Sequence, residues 1–215
     1  MIIVFAKAPV PGQAKTRLVP RLGVWRAARL HARLTLHALR TALAARCGAV
    51  ELHGTQRHAF FDRLGVVFRL QRGADLGERM YNALSRALRR HDTAILIGTD
   101  CPMLAPQDLR RAARWLHGGC DAVLAPAEDG GYALVAMKRV RPELFEGIAW
   151  GGAQVYDETV TRLSRAGYRW RALRRVWDVD RPEDLDRLRS LRFAGGAKRL
   201  RSLRFSSSFR RSARR

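Results

Sequence analysis

Cysteine, acidic residues and long apolar runs are all scarce in this sequence. Three cysteines in 215 residues, Cys47, Cys101 and Cys120, are widely spaced and odd in number, with no Cys-x-x-Cys, which argues against a disulfide framework. A reducing, cytoplasmic setting is the expectation. The six histidines include no His-x-x-x-His pair, which argues against a zinc site. No apolar run approaches the roughly 20 residues that span a bilayer, so no membrane span is expected. Met1 to Pro9 is apolar but short, with neither a basic leader region nor a cleavage signature, and is not read as a signal peptide. Aromatic residues make up 8% and few interleave with basic ones, so nucleic acid is not the expected partner. Acids are outnumbered, 19 against 41 lysines and arginines, for a net charge of +22. Ten of the basic residues fall from Arg189 onward with no acid among them. A basic surface favours anionic ligands by long-range steering without naming them.

What is present is an alternation of strand and helix patterns. Met1 to Ala6 is a continuous apolar run, expected as a buried strand. Lys7 to Pro20, with three prolines and a glycine, is expected as loop through most of its length. Leu22 to Arg46 is expected as one long helix, with Trp25, Ala28, Ala32, Leu36, Leu39 and Leu43 on its core stripe and arginines on another face. Strands are expected at Ala49–Gly54, Val66–Leu70, Ile95–Thr99, Asp121–Ala125, Ala133–Met137 and Tyr168–Leu173. Helices are expected at Arg57–Leu64, from an Asp75 cap to about Arg90, at Pro106–His117, at Gln154–Ala166 and after an Asp180 cap. Such alternation implies an α/β fold, a three-layer α/β/α sandwich with a mostly parallel sheet. The close spacing of the strands near 123 and 135 adds one antiparallel member, making the sheet mixed. One domain is expected over residues 1–190. Residues 191–215 are expected to be a basic, disordered tail, in which Leu188-Arg-Ser-Leu-Arg-Phe193 recurs as Leu200-Arg-Ser-Leu-Arg-Phe205.

Three loops carry candidate chemistry. Asp100 follows the apolar run Ile95-Leu-Ile-Gly-Thr99 and precedes Cys101 and Pro102. Ligands of open α/β sheets bind at the carboxyl ends of strands, and an acid there is costly unless hydrogen-bonded, paired or bound to a cation. Asp100 is a candidate metal ligand; the competing reading makes it a cap for the helix at Pro106. The first loop carries Lys7, Lys15 and Arg17. An extended backbone would project Lys15 and Arg17 to one side, toward a phosphate, with Thr16 and the Gly12 amide adding hydrogen bonds. Neither a P-loop nor Gly-x-Gly-x-x-Gly is present. In Glu128-Asp129-Gly130-Gly131-Tyr132, Asp129 is a candidate for a sugar hydroxyl, a metal or a general base, and Gly130 and Gly131 would let backbone approach a ligand; a plain β-turn accounts for them equally well. Asp178 and Asp180 share one side of an extended stretch, where about 4 kcal/mol of mutual repulsion would be reversed by a divalent cation. Oxygen ligands favour magnesium or manganese.

The ordered set Phe5-Ala-Lys-Ala-Pro-Val-Pro-Gly-Gln-Ala-Lys-Thr-Arg-Leu18, Asp75-Leu-Gly-Glu-Arg-Met80, Gly98-Thr-Asp-Cys-Pro102, Pro126-Ala-Glu-Asp-Gly-Gly-Tyr132 and Asp178-Val-Asp-Arg-Pro-Glu-Asp-Leu185 resembles the nucleotide-diphospho-sugar transferase superfamily with the GT-A fold. Within it, the chain is similar to bacterial arsenosugar-biosynthesis-type glycosyltransferases, which are related to guanylyltransferases of molybdenum-cofactor and phospholactate metabolism. The first loop departs from the glycine-rich one of related nucleotidyltransferases, having Pro9, Val10 and Pro11. The resemblance implies that Lys15 and Arg17 handle nucleotide phosphates, that Asp100 is the strand-end metal aspartate, and that Asp180 supplies a second ligand for Mg2+ or Mn2+. It implies a metal-dependent transferase that takes a nucleotide sugar, or alternatively a nucleoside triphosphate with release of pyrophosphate, and a small-molecule acceptor. A non-catalytic nucleotide- or nucleic-acid-binding protein is the alternative of another class.

Overall fold

A computed structural model describes residues 1–190; the expected tail, 191–215, with the second copy of the repeat, lies outside the described residues. The strands are β1 (Ile2–Ala6), β2 (Val50–Gly54), β3 (Val67–Leu70), β4 (Ala94–Ile97), β5 (Ala122–Pro126), β6 (Tyr132–Met137) and β7 (Trp170–Ala172). The helices are α1 (Val19–Leu22), α2 (Val24–Ala45), α3 (Ala59–Asp62), α4 (Leu76–Leu88), α5 (Pro106–His117), α6 (Val155–Arg165) and α7 (Asp184–Ser190). The seven strands form one sheet in the order β3-β2-β1-β4-β6-β5-β7. Only β6 runs antiparallel to its neighbours, pairing with both β4 and β5, so the sheet is mixed as the strand spacing predicts.

The period of two in a strand sends alternate β1 side chains to opposite faces, and both faces are covered. Ile2, Val4 and Ala6 meet Ala32, Leu39, Leu109 and Leu116 from α2 and α5. Ile3 and Phe5 meet Met80 and Leu84 of α4 and Leu163 of α6. This makes three layers with two separate cores. A smaller cluster joins Leu18, Ala27 and Leu34 to Trp177, Val179 and Leu185, tying the first loop to the chain's last described segment.

The long early helix is broken. Gly23, at φ 74 and ψ 159, separates α1 from α2, and Pro20 sits in the first turn of α1, where its missing N–H leaves no carbonyl unpaired. Trp25 and Leu43, expected on the core stripe, are 53% and 52% exposed. A 22-residue helix of about 33 Å outruns five-residue strands of about 17 Å, so its ends overhang the sheet. The last helix starts at Asp184, not after an Asp180 cap; Asp184 Oδ2 accepts the backbone N–H groups of Asp180 and Arg181 at 2.9 and 2.7 Å. Asp75 does cap α4, taking the Glu78 N–H at 2.8 Å. The start of α5 is served by Asp108, whose carboxylate accepts the Ala105 N–H at 2.9 Å. Asp100 is therefore left for other work.

Candidate active site

β1 has β2 and then β3 on one side and β4 on the other, so the chain reverses its direction of travel across the sheet there. Open α/β sheets bind ligands beyond the carboxyl ends of strands at such a point. A cavity of about 540 Å³ lies here. Its polar side is formed by Lys7 after β1, His31 of α2, Thr99, Asp100 and Cys101 after β4, Asp129 in the β5–β6 turn, and Asp178. Its other side is apolar and aromatic, with Leu76, Met80, Tyr132, Trp150 and Val155.

The motif at 75–80 builds that apolar side. Asp75 starts α4, and Gly77 lets the helix meet the loop bearing Trp150. A Cβ on Gly77 would stand 2.5 Å from Trp150 Nε1 and 2.6 Å from the Phe145 carbonyl oxygen. Trp150 is held in turn by Phe145, stacked at 6.3 Å, and by the edge of Tyr132 at 6.5 Å.

Asp100 is the cavity acid with the closest cation. Lys15 Nζ lies 2.9 Å from its Oδ2, and the Lys15 side chain is only 4% exposed. His31 Nδ1 lies 3.7 Å from Oδ1. The other nitrogen, Nε2, is 2.9 Å from the Lys7 carbonyl, which only accepts, so Nε2 carries the hydrogen there. Desolvation pushes the Asp100 carboxyl upward, but the Lys15 charge and then His31 outweigh it and hold it well below the usual carboxylate range. Lys15 reaches this position because its backbone is left-handed, φ 53 and ψ 46, and Thr16–Leu18 then turn into a short 3-10 helix. The expectation of an extended 15–17 segment is thereby corrected. Lys15 and Arg17 turn to two different aspartates, Arg17 Nη1 lying 2.6 Å from Asp180 Oδ2. The Val179 N–H donates to the Asp100 carbonyl at 2.9 Å and closes this clip between the first loop, the strand-end loop and the 178–180 segment.

Asp178 is the contrasting acid. Burial, then the charge of Asp129, pushes its carboxyl up to about 6, with Asp180 adding to the effect. Burial, followed by Asp178, Asp100 and Asp129, also raises the Cys101 thiol well above its ordinary range. A thiol so raised is a poor nucleophile, consistent with a sequence that offers no thiol chemistry.

Of the residues singled out by sequence, Lys7, Asp100, Asp129 and Gly131 line the cavity. Lys15 stands behind Asp100. Arg17 and Asp180 bind each other at the clip, and it is Asp178 that faces the cavity. Gly12 and Thr16 are exposed on the first loop, outside the cavity lining. Gly130 answers to its own chain: at φ 89, an added Cβ would come 2.0 Å from the Ala153 carbonyl oxygen. Asp129 combines turn and site, since its Oδ1 accepts the Gly131 N–H at 2.9 Å while it borders the cavity. His31 and Trp150 escaped the sequence reading, and Tyr132 entered it only as the end of a motif. For His31 the signal was there: it is the one ionisable side chain on the buried face of α2, whose other members are apolar residues and two threonines.

A family model described as "Uncharacterized protein conserved in bacteria (DUF2064)" matches residues 35–152, more than half of the chain, and the chain belongs to that family. A comparison with curated proteins finds no match. Among solved structures, the chain is 34% identical to a protein from Desulfovibrio desulfuricans G20 described as a "putative nucleotide-diphospho-sugar transferase"; the match covers 87% of this chain and 84% of that one, with a TM-score of 0.81. It is also similar in fold to CMP:2-keto-3-deoxy-manno-octonic acid synthetase complexed with CTP, at 13% identity over 88% of this chain and 96% of that one, TM-score 0.60. A nucleotidyl transferase from Methanothermobacter thermautotroptrophicus shares the fold at 17% identity over 88% and 96% of the two chains, TM-score 0.56. The α/β fold is thus that of nucleotide-diphospho-sugar transferases.

Proposed function

We propose that this chain is a transferase that takes a nucleotide-linked substrate, a nucleotide-diphospho-sugar, and moves its glycosyl group to a small-molecule acceptor. The observation that carries this reading is the clip at the cavity's edge, where two cations of the first loop are held by two acids on other strand-end loops. Support also comes from the 34% identical relative and what it is described as.

A divalent cation suits the residues present. Among the described residues no group of three or more histidines, cysteines and acids is arranged to hold a metal. Mg2+ and Mn2+ need no such cage, since one or two carboxylates together with substrate phosphates suffice. Asp100 and Asp178 are the two that fit, both bordering the cavity, with the raised carboxyl of Asp178 marking a place where a positive charge is wanted. Asp180, engaged by Arg17, takes the flanking position. When bound, the cation would neutralise charge on diphosphate oxygens.

The chain's own residues do the rest. Lys15 and Arg17 exchange their aspartates for phosphate oxygens as the substrate enters, so nucleotide and cation bind together better than either alone. Lys15 is poised for this: its buried ammonium forms an ion pair with Asp100 but no aligned hydrogen bond. Lys7 adds positive charge at the mouth. Asp129, near the acceptor side, is the candidate general base. Leu76, Tyr132 and Trp150 exclude water from the acceptor end.

Calorimetric titration of nucleotides and nucleotide sugars with and without Mg2+ tests the reading. Expected are tight binding only with both present and loss of that binding in Asp100→Asn. Binding indifferent to the metal, or unchanged in Asp100→Asn, sinks it. Release of nucleoside diphosphate from a sugar donor supports glycosyl transfer; release of pyrophosphate from a triphosphate replaces it with nucleotidyl transfer.

A further inference from the structure

His31 lines the cavity from α2 and is only 3% exposed, yet no step assigned to Lys15, Arg17 or Asp129 uses it. Its Nε2 lies 2.9 Å from the Lys7 carbonyl, and a carbonyl only accepts, so Nε2 carries the ring hydrogen. In the neutral ring the opposite nitrogen, Nδ1, is then an acceptor with a free lone pair. Nδ1 is buried and has no hydrogen-bond partner. Beside it, at 3.7 Å, stands Asp100 Oδ1, another acceptor.

A lone pair set against a carboxylate is unfavourable unless something positive stands between them. A proton does this poorly here, because an N–H···O bond wants about 2.7–3.2 Å. A divalent cation does it well: bonds of about 2.1 Å to a nitrogen and an oxygen bridge atoms roughly 3 to 4 Å apart. The ring also has the support typical of a metal-bound histidine, whose second nitrogen donates to a carboxylate or a backbone carbonyl. The two oxygens of Asp100 are divided to match. Lys15 Nζ takes Oδ2 at 2.9 Å, while Oδ1 faces His31 and accepts from the Thr99 hydroxyl at 3.3 Å. Lys15 and a cation therefore need not share an oxygen.

We propose that His31 Nδ1 is a direct ligand of the divalent cation, beside Asp100 Oδ1, and that it makes the site favour transition-metal ions such as Mn2+ over Mg2+. This rests on the cavity being a place for a cation and a nucleotide diphosphate. Magnesium is held almost wholly by oxygen, whereas imidazole suits first-row transition metals, so one nitrogen among oxygens tilts the choice toward the latter. Two side chains make only part of a coordination shell, and phosphate oxygens or water fill the rest.

The test adds Mn2+ alone to the full chain and reads electron paramagnetic resonance. Free Mn2+ gives a sharp spectrum that collapses on binding, so its loss measures the bound ion. Pulsed spectra of the bound ion should show a directly bonded nitrogen. That pattern should change when the histidines alone carry the heavier nitrogen isotope, an arm that needs no variant. His31→Gln, whose amide can still donate to the Lys7 carbonyl, should abolish the nitrogen signal. It should weaken Mn2+ on the order of tenfold, as losing even an outer-shell partner of a metal ligand does. Mg2+, measured by its competition with Mn2+, should lose less, so the preference narrows. His91→Gln/His117→Gln, which alters two exposed histidines outside the cavity lining, should change neither. Bound Mn2+ without a histidine nitrogen, a nitrogen signal that survives His31→Gln, or no binding of Mn2+ at all overturns the proposal. The cation reading is judged apart from it, by the calorimetric titration of nucleotide with metal and its loss in Asp100→Asn.

Discussion

Two clusters of acids and their partners in this molecule look alike on paper and do opposite work. One is centred on Glu51 of β2. A single oxygen, Oε2, takes Arg86 at 2.6 Å, Arg69 at 3.0 Å and His53 at 3.0 Å. Desolvation works against the charge, yet the hydrogen bonds from Arg86, His53 and Arg69 hold the carboxyl down at about 2. His53 is stacked on Phe5 at 5.7 Å, and burial brings it down to about 4 despite Glu51. The other cluster is that of Asp100, Asp129 and Asp178. There three acids border one cavity and, among the described residues, only Asp100 has a close cation, Lys15. Saturated charge glues β2 to β3 and α4. Undersupplied charge, open to a cavity, is where the proposed cation and phosphates would bind.

Substitutions should separate the two. The largest effect is expected at the cavity: Asp100→Asn should lower turnover of a nucleotide-linked donor a hundredfold or more, as loss of an electrostatic group aimed at developing charge does. Stability should change little, provided Lys15→Met accompanies it so that no unpaired ammonium stays buried. Next is Glu51→Gln, which should leave donor binding intact and cost about 2–3 kcal/mol in a denaturant titration. Breaking a buried pair costs 3–5, and here Arg69 and Arg86 keep some access to water. Smaller still is Asp178→Asn, expected to stabilise the protein above pH 6 by about 1 kcal/mol, a figure reduced for solvent screening. The same variant should lose the metal-assisted part of nucleotide binding.

The pH dependences have opposite signs. Asp178 has a folded value of about 6, above the ordinary 3.8, so its protonated form favours the fold. Its contribution is full below about pH 4 and is lost as pH rises through 6. His53, at about 4, lies below the ordinary 6.5. Its contribution is full above 6.5 and disappears as pH falls toward 4, with that of Glu51 following between 4.5 and about 2. Melting temperatures of the parent and Asp178→Asn across this range should diverge on the alkaline side and converge in acid. Parallel curves would dissolve the distinction between the clusters.

Much of the architecture was legible because it rests on local patterns. Continuous apolar runs gave β1 and β4. The bounds of α5, Pro106 to His117, follow from its proline start and glycine stop. The close spacing of β5 and β6 gave the antiparallel member. Asp75 was readable as a cap because capping is settled within four residues. The break at Gly23 was less so, since a glycine inside a helical pattern does not say whether the helix bends or stops.

At the site, the sequence by itself determined which loops carry chemistry and which acid ends the central strand. Asp100, Asp129 and the Asp178–Asp180 pair stand where strand ends must place them. Partnership was decided only by the tertiary structure. Lys15 lies 85 positions from Asp100 and Arg17 lies 163 from Asp180, and a left-handed turn at Lys15 sends the two cations to different acids. Charge acts through space, so the pairing of distant charges and their pKa values depend on a geometry that no local pattern encodes.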